Sequence, residues 1–474
     1  MSQTNLTDMD ELQKQLTRKP SLVWDVIPTD EKNKAFEFAN AYKTFLNASK
    51  TEREAVKTIK DIAVRNGFTD IDVPSSGNGR YFKVFRNKCI ALAVTGNKPL
   101  SEGVHIVASH LDSPRLDLKQ NPLYEDVDLA FFKTHYYGGI RKYQWLARPL
   151  AVYGKIFTAD ETEIDLKIGD SPDDPVFTIA DLLPHLSRRL QDQKKLSEVF
   201  EGEKLNLIIG SLPIGNTDLK ERFKLGMLHY LHTTYGIQEE DFVSAEIEIV
   251  PAGQAKDIGF DRGLIGAYGQ DDRICAFTAL KAITQVSNPR LTGVALFVDK
   301  EEIGSEGNTG AKSRFLEDFI SDILIKTKTD FSERTLRKCL LNSFALSADV
   351  NAAIDPDFQE VHEKRNAARL GYGICITKFT GSGGKSGAND ANAEYLGKIR
   401  RIFNENHVVW QTGQLGKVDQ GGGGTIAKFL AIYGMEIVDC GPAILAMHSP
   451  FEISSKPDVY MTYKAYTAFF NATF

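Results

Sequence analysis

The sequence predicts an α/β protein: a sheet with helices on both faces, interrupted by a long insertion. Strand-like and helix-like segments alternate from about residue 259 to the C-terminus, which argues for a sheet covered by helices on both sides. The first hundred residues read as helices followed by strands. Between about 119 and 258 the character changes, and no segment with evident chemistry appears until the chain resumes at Gly266. The expected division is a discontinuous main domain, 1–118 with 258–474, around an inserted domain, 119–257.

Each element has its own signal. Residues 31–66 are rich in Ala, Lys, Glu and Phe at helical spacing, and Gly67 stops the run. Residues 81–94 and 104–108 read as strands, and the segment 103–110 is a short buried strand that ends in polar residues. In the insertion, 150–157, 163–168, 205–210 and 243–250 are strand-like, while 179–191 and 217–235 carry helical patterns. Further on, 274–286 is helical, 293–298 a buried strand, 312–341 mostly helical and 343–348 a strand. Candidate strands at 374–379 and 407–411, a helix at 424–433 and a strand at 436–440 complete the pattern. Glycine clusters at 381–387 and 421–424 are the low-complexity patches.

Composition bounds the function. The chain has 474 residues, 42% hydrophobic and 25% charged, enough for a large core and for two or three domains. A net charge of -6 favours neither a nucleic-acid nor a membrane partner. The first nineteen residues carry no apolar leader, and no apolar run reaches the roughly 18 residues of a membrane helix. The five cysteines, Cys89, Cys275, Cys339, Cys375 and Cys440, are odd in number and form no CxxC, which points to a reducing, cytoplasmic compartment.

Five polar segments sit at strand ends or just before a helix, where open α/β sheets place ligands. His110-Leu111-Asp112 closes a strand; both side chains share one face, and a ligating histidine usually donates its second ring N–H to a carboxylate. Gln270-Asp271-Asp272-Arg273 precedes a helix, where Asp also serves as an ordinary N-cap. Asp299-Lys300-Glu301-Glu302-Ile303-Gly304 is the most distinctive, since adjacent carboxylates at a strand exit repel unless a cation is near. Ser347-Ala348-Asp349 and Met447-His448-Ser449-Pro450 complete the set. Each alone also reads as a satisfied structural residue. Together they supply two histidines, three ligand carboxylates and a spare carboxylate, the donors zinc takes. Three such carboxylates nearly balance two divalent cations about 3.5–4 Å apart, and a hydroxide completes neutrality.

At these segments the sequence resembles the aspartyl aminopeptidase and vacuolar aminopeptidase I family of dinuclear zinc exopeptidases. The motifs stand as Ser109-His110-Leu111-Asp112-Ser113-Pro114-Arg115, Gln270-Asp271-Asp272-Arg273, Asp299-Lys300-Glu301-Glu302-Ile303-Gly304-Ser305, Ser347-Ala348-Asp349 and Leu445-Ala446-Met447-His448-Ser449-Pro450. They fall in the family's order over most of the chain. The resemblance implies that Asp271 bridges two metal ions, that His110 and Asp349 complete one site, and that Glu302 and His448 complete the other. It further implies Glu301 as general base and then acid, with Asp112 orienting His110. It implies a zinc-peptidase sheet flanked by helices, an inserted β-rich dimerisation domain, and a dodecamer with active sites facing an inner chamber. The ions are expected to be Zn2+, with Co2+ or Mn2+ as alternatives.

The implied reaction is hydrolysis of the first peptide bond of peptides with a free N-terminus by a metal-activated water. In the family a histidine of the inserted domain enters a neighbouring subunit's site; His185, in Pro184-His185-Leu186, lies in a similar stretch, although Arg189 stands where a second histidine is expected. Lys378 and Lys385 flank a glycine-rich turn and are candidates to pair with an acidic first residue, as they are for plain solvated loop lysines. The expected preference is acidic or neutral. Gly384-Lys385-Ser386 is not a P-loop, because Phe379 occupies the position of its first glycine. The rival readings are a related metal amidase, such as a deacylase or carboxypeptidase, and a non-catalytic self-assembling shell.

Overall fold

Four parallel strands form the centre of the fold: Thr292–Val298, Val104–His110, Phe344–Ser347 and Glu436–Leu445, adjacent in that order. Their register sets Val298 beside His110, Ala108 beside Ser347, and Ser347 beside Asp439. All seven residues of Val104–His110 and all seven of Thr292–Val298 are buried, as expected of parallel strands covered on both faces. The computed structural model describes residues 6–74, 78–329 and 331–474. Among them, antiparallel strands extend the parallel centre at each edge into a thirteen-stranded mixed sheet, with Cys89–Val94 on one side and Glu452–Ser455 on the other.

Alternate residues of the central strands feed two cores. Val107, Ala295 and Phe297 face one layer, which holds the helices Thr29–Ala48, Gln270–Gln285 and Lys456–Phe470. There Phe277 packs among Phe38, Tyr42 and Phe45. Ile106, Ala108, Val294 and Leu296 face the other layer, with the helices Phe315–Lys326 and Glu333–Leu341. The period-two alternation of a strand is the cause.

A second sheet of six strands, all antiparallel, is built from residues 115–251 in the order Glu163–Ile168, Leu150–Phe157, Glu246–Pro251, Arg115–Asp126, Leu129–Tyr137 and Leu207–Gly210. Its core gathers Leu116, Trp145, Leu150, Ile249 and Phe242. The hairpin Arg115–Asp126/Leu129–Tyr137 has no counterpart in the strand pattern read from sequence. Its turn uses Val127 and Asp128 at φ 46° and 60°, without the Asn-Gly or Asp-Gly pair that advertises such turns.

The expected helix over 31–66 is two helices, Thr29–Ala48 and Glu52–Arg65. Thr51 breaks the run by taking an extended conformation and accepting the amide of Glu54 at 3.3 Å, as an N-cap does. The helix expected over 179–191 shrinks to Pro184–Ser187. Leu183, Leu186 and Leu190 are exposed, so its apolar stripe gains no tertiary packing, and a lone short helix is marginal in water. The helix expected from 217 begins later, as Arg222–Tyr235, where the Glu125 carboxylate accepts the amides of Phe223 and Lys224 at 2.8 and 2.9 Å. Among the described residues, no helix is long and apolar enough to cross a membrane.

Candidate metal centre

The parallel strands deliver their polar ends to one place. His110 is the last residue of its strand, Glu301 and Glu302 follow Val298, Asp349 follows Ser347, and His448 follows Leu445. Asp271 and Asp272 enter from the start of Gln270–Gln285. Donor atoms of His110, Asp271 and Glu302 lie within 4.8 Å of one another, and so do those of His110, Asp272 and Asp349.

Asp271 stands between the two histidines. Its Oδ1 is 3.2 Å from His110 Nε2, and its Oδ2 is 3.3 Å from His448 Nε2. His448 Nε2 also lies 3.3 Å from Glu302 Oε2. The other ring nitrogens are engaged: His110 Nδ1 meets the Asp112 carbonyl at 2.9 Å and its carboxylate at 3.3 Å, and His448 Nδ1 meets the Gly139 carbonyl at 3.1 Å. Each Nε2 is thereby turned toward the carboxylates.

Asp112 does more than face His110. Its Oδ1 accepts the Glu301 amide and its Oδ2 the Glu302 amide, both at 3.1 Å, and the Tyr137 hydroxyl donates to Oδ2 at 2.8 Å. Glu452 has a similar part on the other side. It accepts the amides of Gln270 at 2.6 Å and Asp271 at 3.1 Å on one oxygen, and of His448 at 2.8 Å on the other. Asp272, Glu452, Tyr137 and Gly139 were not singled out from sequence. Asp272 adjoins a chosen aspartate, and Glu452 lies four residues after His448, so both were within reach. Tyr137 and Gly139 carry no local signal.

The electrostatics call for positive charge. Burial together with neighbouring carboxylates pushes the acids of Asp272, Asp349 and Glu302 well above the usual range. Burial pushes Glu301 up to about 7. Burial works against protonating the histidines, yet Asp112 and Asp271 hold His110 well above its ordinary value, and Asp271 holds His448 at about 10. Glu302 Oε1 and Asp272 Oδ1 are buried without a hydrogen-bond partner. Orphaned carboxylate oxygens beside two outward-held imidazole nitrogens are the donor set a divalent zinc-type ion takes, so these residues fit such a group.

The centre opens into a cleft of about 500 Å³. Asp271, Glu301, Glu302, Asp349 and His448 line its floor, and Phe379, Lys417 and Lys428 line its walls. The two glycine clusters pair over it as a short antiparallel ribbon, Gly381–Ser382 with Gly422–Gly423. At Gly422, with φ 130°, an added Cβ would fall 2.2 Å from the Gly381 carbonyl oxygen, so the ribbon needs glycine there. Lys378 and Lys385 both pair with Asp390, Lys385 at 2.7 Å, and neither lines the cleft. His185 is exposed on Pro184–Ser187 and does not line the cleft of its own chain.

Known proteins resemble this chain over nearly its whole length. Residues 45–470 match the family described as aminopeptidase I zinc metalloprotease (M18). A probable M18 family aminopeptidase 1 of Thermotoga maritima is 51% identical over 431 residues, covering 90% of this chain and 94% of that protein. One from Borrelia garinii subsp. bavariensis is 49% identical over 451 residues, covering 94% and 98%. The crystal structure of the M18 aminopeptidase of Thermotoga maritima superposes with a TM-score of 0.92 at 48% identity, over 96% of this chain and all of that one. That of aminopeptidase I from Clostridium acetobutylicum gives 0.90 at 46% identity, over 96% and 100%. The chain therefore belongs to the M18 family of zinc metalloproteases and is an aminopeptidase, a hydrolase of peptide bonds.

Proposed function

We propose that the protein removes the first residue from peptides with a free amino terminus, using a dinuclear centre held by His110, Asp271, Glu302, Asp349 and His448. The observation that carries this reading is Asp271, whose two carboxylate oxygens face different histidines at 3.2 and 3.3 Å, so that one carboxylate is placed where it could serve two cations. His110 and Asp349 would hold one ion, with Asp272 close by, and Glu302 and His448 the other. When bound, zinc-type ions acidify a water and polarise a carbonyl.

Glu301 handles the proton. Burial raises its pKa, and a buried carboxyl set beside the candidate ligands suits a group that must both take and give a proton. It accepts the proton of the attacking water as the C–O bond forms, and passes it to the amine nitrogen as the C–N bond breaks. Asp112 holds the Glu301 and Glu302 amides, and so fixes the turn that aims both side chains. The cleft walls, with Phe379 and with Lys428 free of ion pairs among the described residues, suit an acidic or neutral first side chain. Lys417 and Lys428 replace Lys378 and Lys385 as the candidates to meet an acidic one.

A homododecamer in the cytoplasm is part of this reading. The mApe1 of S. cerevisiae, 21% identical with a TM-score of 0.74, has been solved as a dodecamer. Buried free cysteines accord with a reducing compartment.

The test is release of the first residue from Asp-, Glu-, Leu- and Lys-starting dipeptides and their N-acetylated forms. Release from free peptides only, abolished by a chelator and restored by zinc, is the expected result. Equal cutting of acetylated peptides would overturn the aminopeptidase reading in favour of a metal amidase, and release unaffected by complete metal removal would overturn the metal centre.

A further inference from the structure

One short segment at the end of a strand of the six-stranded sheet backs both candidate metal-binding histidines, His110 through Asp112 and His448 directly. Tyr137 ends the strand Leu129–Tyr137, and Gly138 and Gly139 follow it. The Tyr137 hydroxyl donates to Asp112 Oδ2 at 2.8 Å, and Asp112 engages His110 Nδ1 and the amides of Glu301 and Glu302. Two residues on, the Gly139 carbonyl meets His448 Nδ1 at 3.1 Å. A Cβ at Gly139 would lie 3.2 Å from that same nitrogen, and one at Gly138, with φ 71°, would lie 3.3 Å from Glu302 Cβ. The glycines let the backbone reach the histidine.

Tyr137 is itself anchored. The hairpin register places it opposite Arg115, whose guanidinium lies 3.9 Å from the ring centroid. Arg115 is buried and tied to Asp117 at 2.8 Å, Glu248 at 3.3 Å and Glu52 at 3.5 Å. Glu52 opens the helix Glu52–Arg65, which packs on the large sheet, whereas Glu248 lies on a strand of the six-stranded sheet. The phenol is thus pinned where the two sheets meet.

We infer that Tyr137 is a positioning residue of the metal centre, acting through Asp112, and that Tyr137 and Gly139 make the six-stranded sheet part of the catalytic unit. The inference rests on the dinuclear reading above. Outer partners of ligating histidines fix ring orientation, and losing one typically costs 10–100-fold in metal affinity or activity. The Tyr137 hydroxyl acts on the carboxylate that orients one ligand and holds the turn bearing another.

The experiment uses the full-length protein stripped of metal. Tyr137→Phe keeps the ring on Arg115 and removes only the hydroxyl. Zinc is titrated calorimetrically into wild type and variant, Co2+ visible spectra are recorded, and kcat and KM are measured on the dipeptide panel. The expected result is affinity at one or both sites weakened about 10-fold or more, an altered cobalt spectrum, and a fall in kcat with KM held within about twofold. Tyr136→Phe, one residue back and facing the opposite side of the strand, leaves all three unchanged. Wild-type affinity, spectrum and kcat in Tyr137→Phe would overturn the inference while leaving the enzyme reading intact. A wild type that binds no zinc would overturn both. If metal-free Tyr137→Phe melts well below wild type, its zinc titration is run at a temperature where both proteins are folded, with the same loss expected; Gly139→Ala tests the second contact, and unchanged affinity there overturns the part given to Gly139.

Discussion

The two sheets meet the metal centre in different ways. The large sheet supplies it through the carboxyl ends of adjacent parallel strands, each followed within a few residues by a donor: His110, Glu302, Asp349 and His448. The six-stranded sheet contributes no donor to either group of candidate ligands, yet its Tyr137 touches Asp112, the partner of His110, and Gly139, two residues past it, touches His448 itself. Donors are local to a strand end, so a short motif carries each one. Support is non-local: Tyr137 and Asp112 are neighbours only because the chain turns back through a hairpin between them.

The sharpest test of this division is Glu301→Gln, on the large sheet's side. We expect kcat to fall by about 10²–10⁴-fold, since a general base contributes that much, with zinc still bound by calorimetry. A variant that kept wild-type turnover would remove Glu301 from the chemistry and blur the distinction between donors and base.

The join between the sheets gives the next effect. Arg115→Met leaves the buried Glu52 and Glu248, and the partly exposed Asp117, without their shared cation. Burial opposes the charge of Glu52, which Arg115 and Lys88 nevertheless hold down at about 2. Breaking a buried pair typically costs about 3–5 kcal/mol, and urea unfolding of the variant at neutral pH is expected to show a loss of that size. A loss under about 1 kcal/mol would mean that the two sheets are held together by other contacts.

The smallest effect lies within the large sheet. His105 is buried on Val104–His110 among Phe344, Phe469 and Phe474, with Nδ1 3.3 Å from the Phe470 carbonyl. Burial lowers its pKa to about 4. The unfolded chain therefore binds a proton below about pH 6.5 that the folded chain refuses until about pH 4. This group's contribution to stability is complete above pH 6.5 and is lost as pH falls toward 4, up to about 3 kcal/mol. His105→Phe is expected to flatten that part of the stability–pH curve relative to wild type, and an unchanged slope would show that His105 is protonated in the fold.

Much of the centre was legible because its signals are short-range. An apolar run such as Val104–His110 or Thr292–Val298 announces a buried strand, and a polar group just past its end announces a mouth where ligands gather. The same reasoning failed for Arg115–Asp126, which is polar-rich, and for Leu129–Tyr137, whose aromatic run suits a strand but is separated from its partner by a turn, Val127-Asp128, with no turn-forming pair to mark it. It also overread 179–191, where leucines at helical spacing have no core of the same chain to meet. Lys378 and Lys385 looked available from their glycine-rich surroundings, but Asp390, several residues on, takes both.

By itself the sequence determined the chemistry on offer: two histidines, a set of carboxylates and a spare glutamate, each bound to its strand end by a few covalent residues. Tertiary structure alone decided which oxygens of Asp271 face which histidine, that Glu452 gathers three amides, that Lys428 rather than Lys385 lines the cleft, and that Tyr137 and Gly139 close the back of the site. Those choices depend on contacts between residues far apart in the chain, fixed by the register of two sheets and by burial at their junction, and no local pattern of residues encodes them.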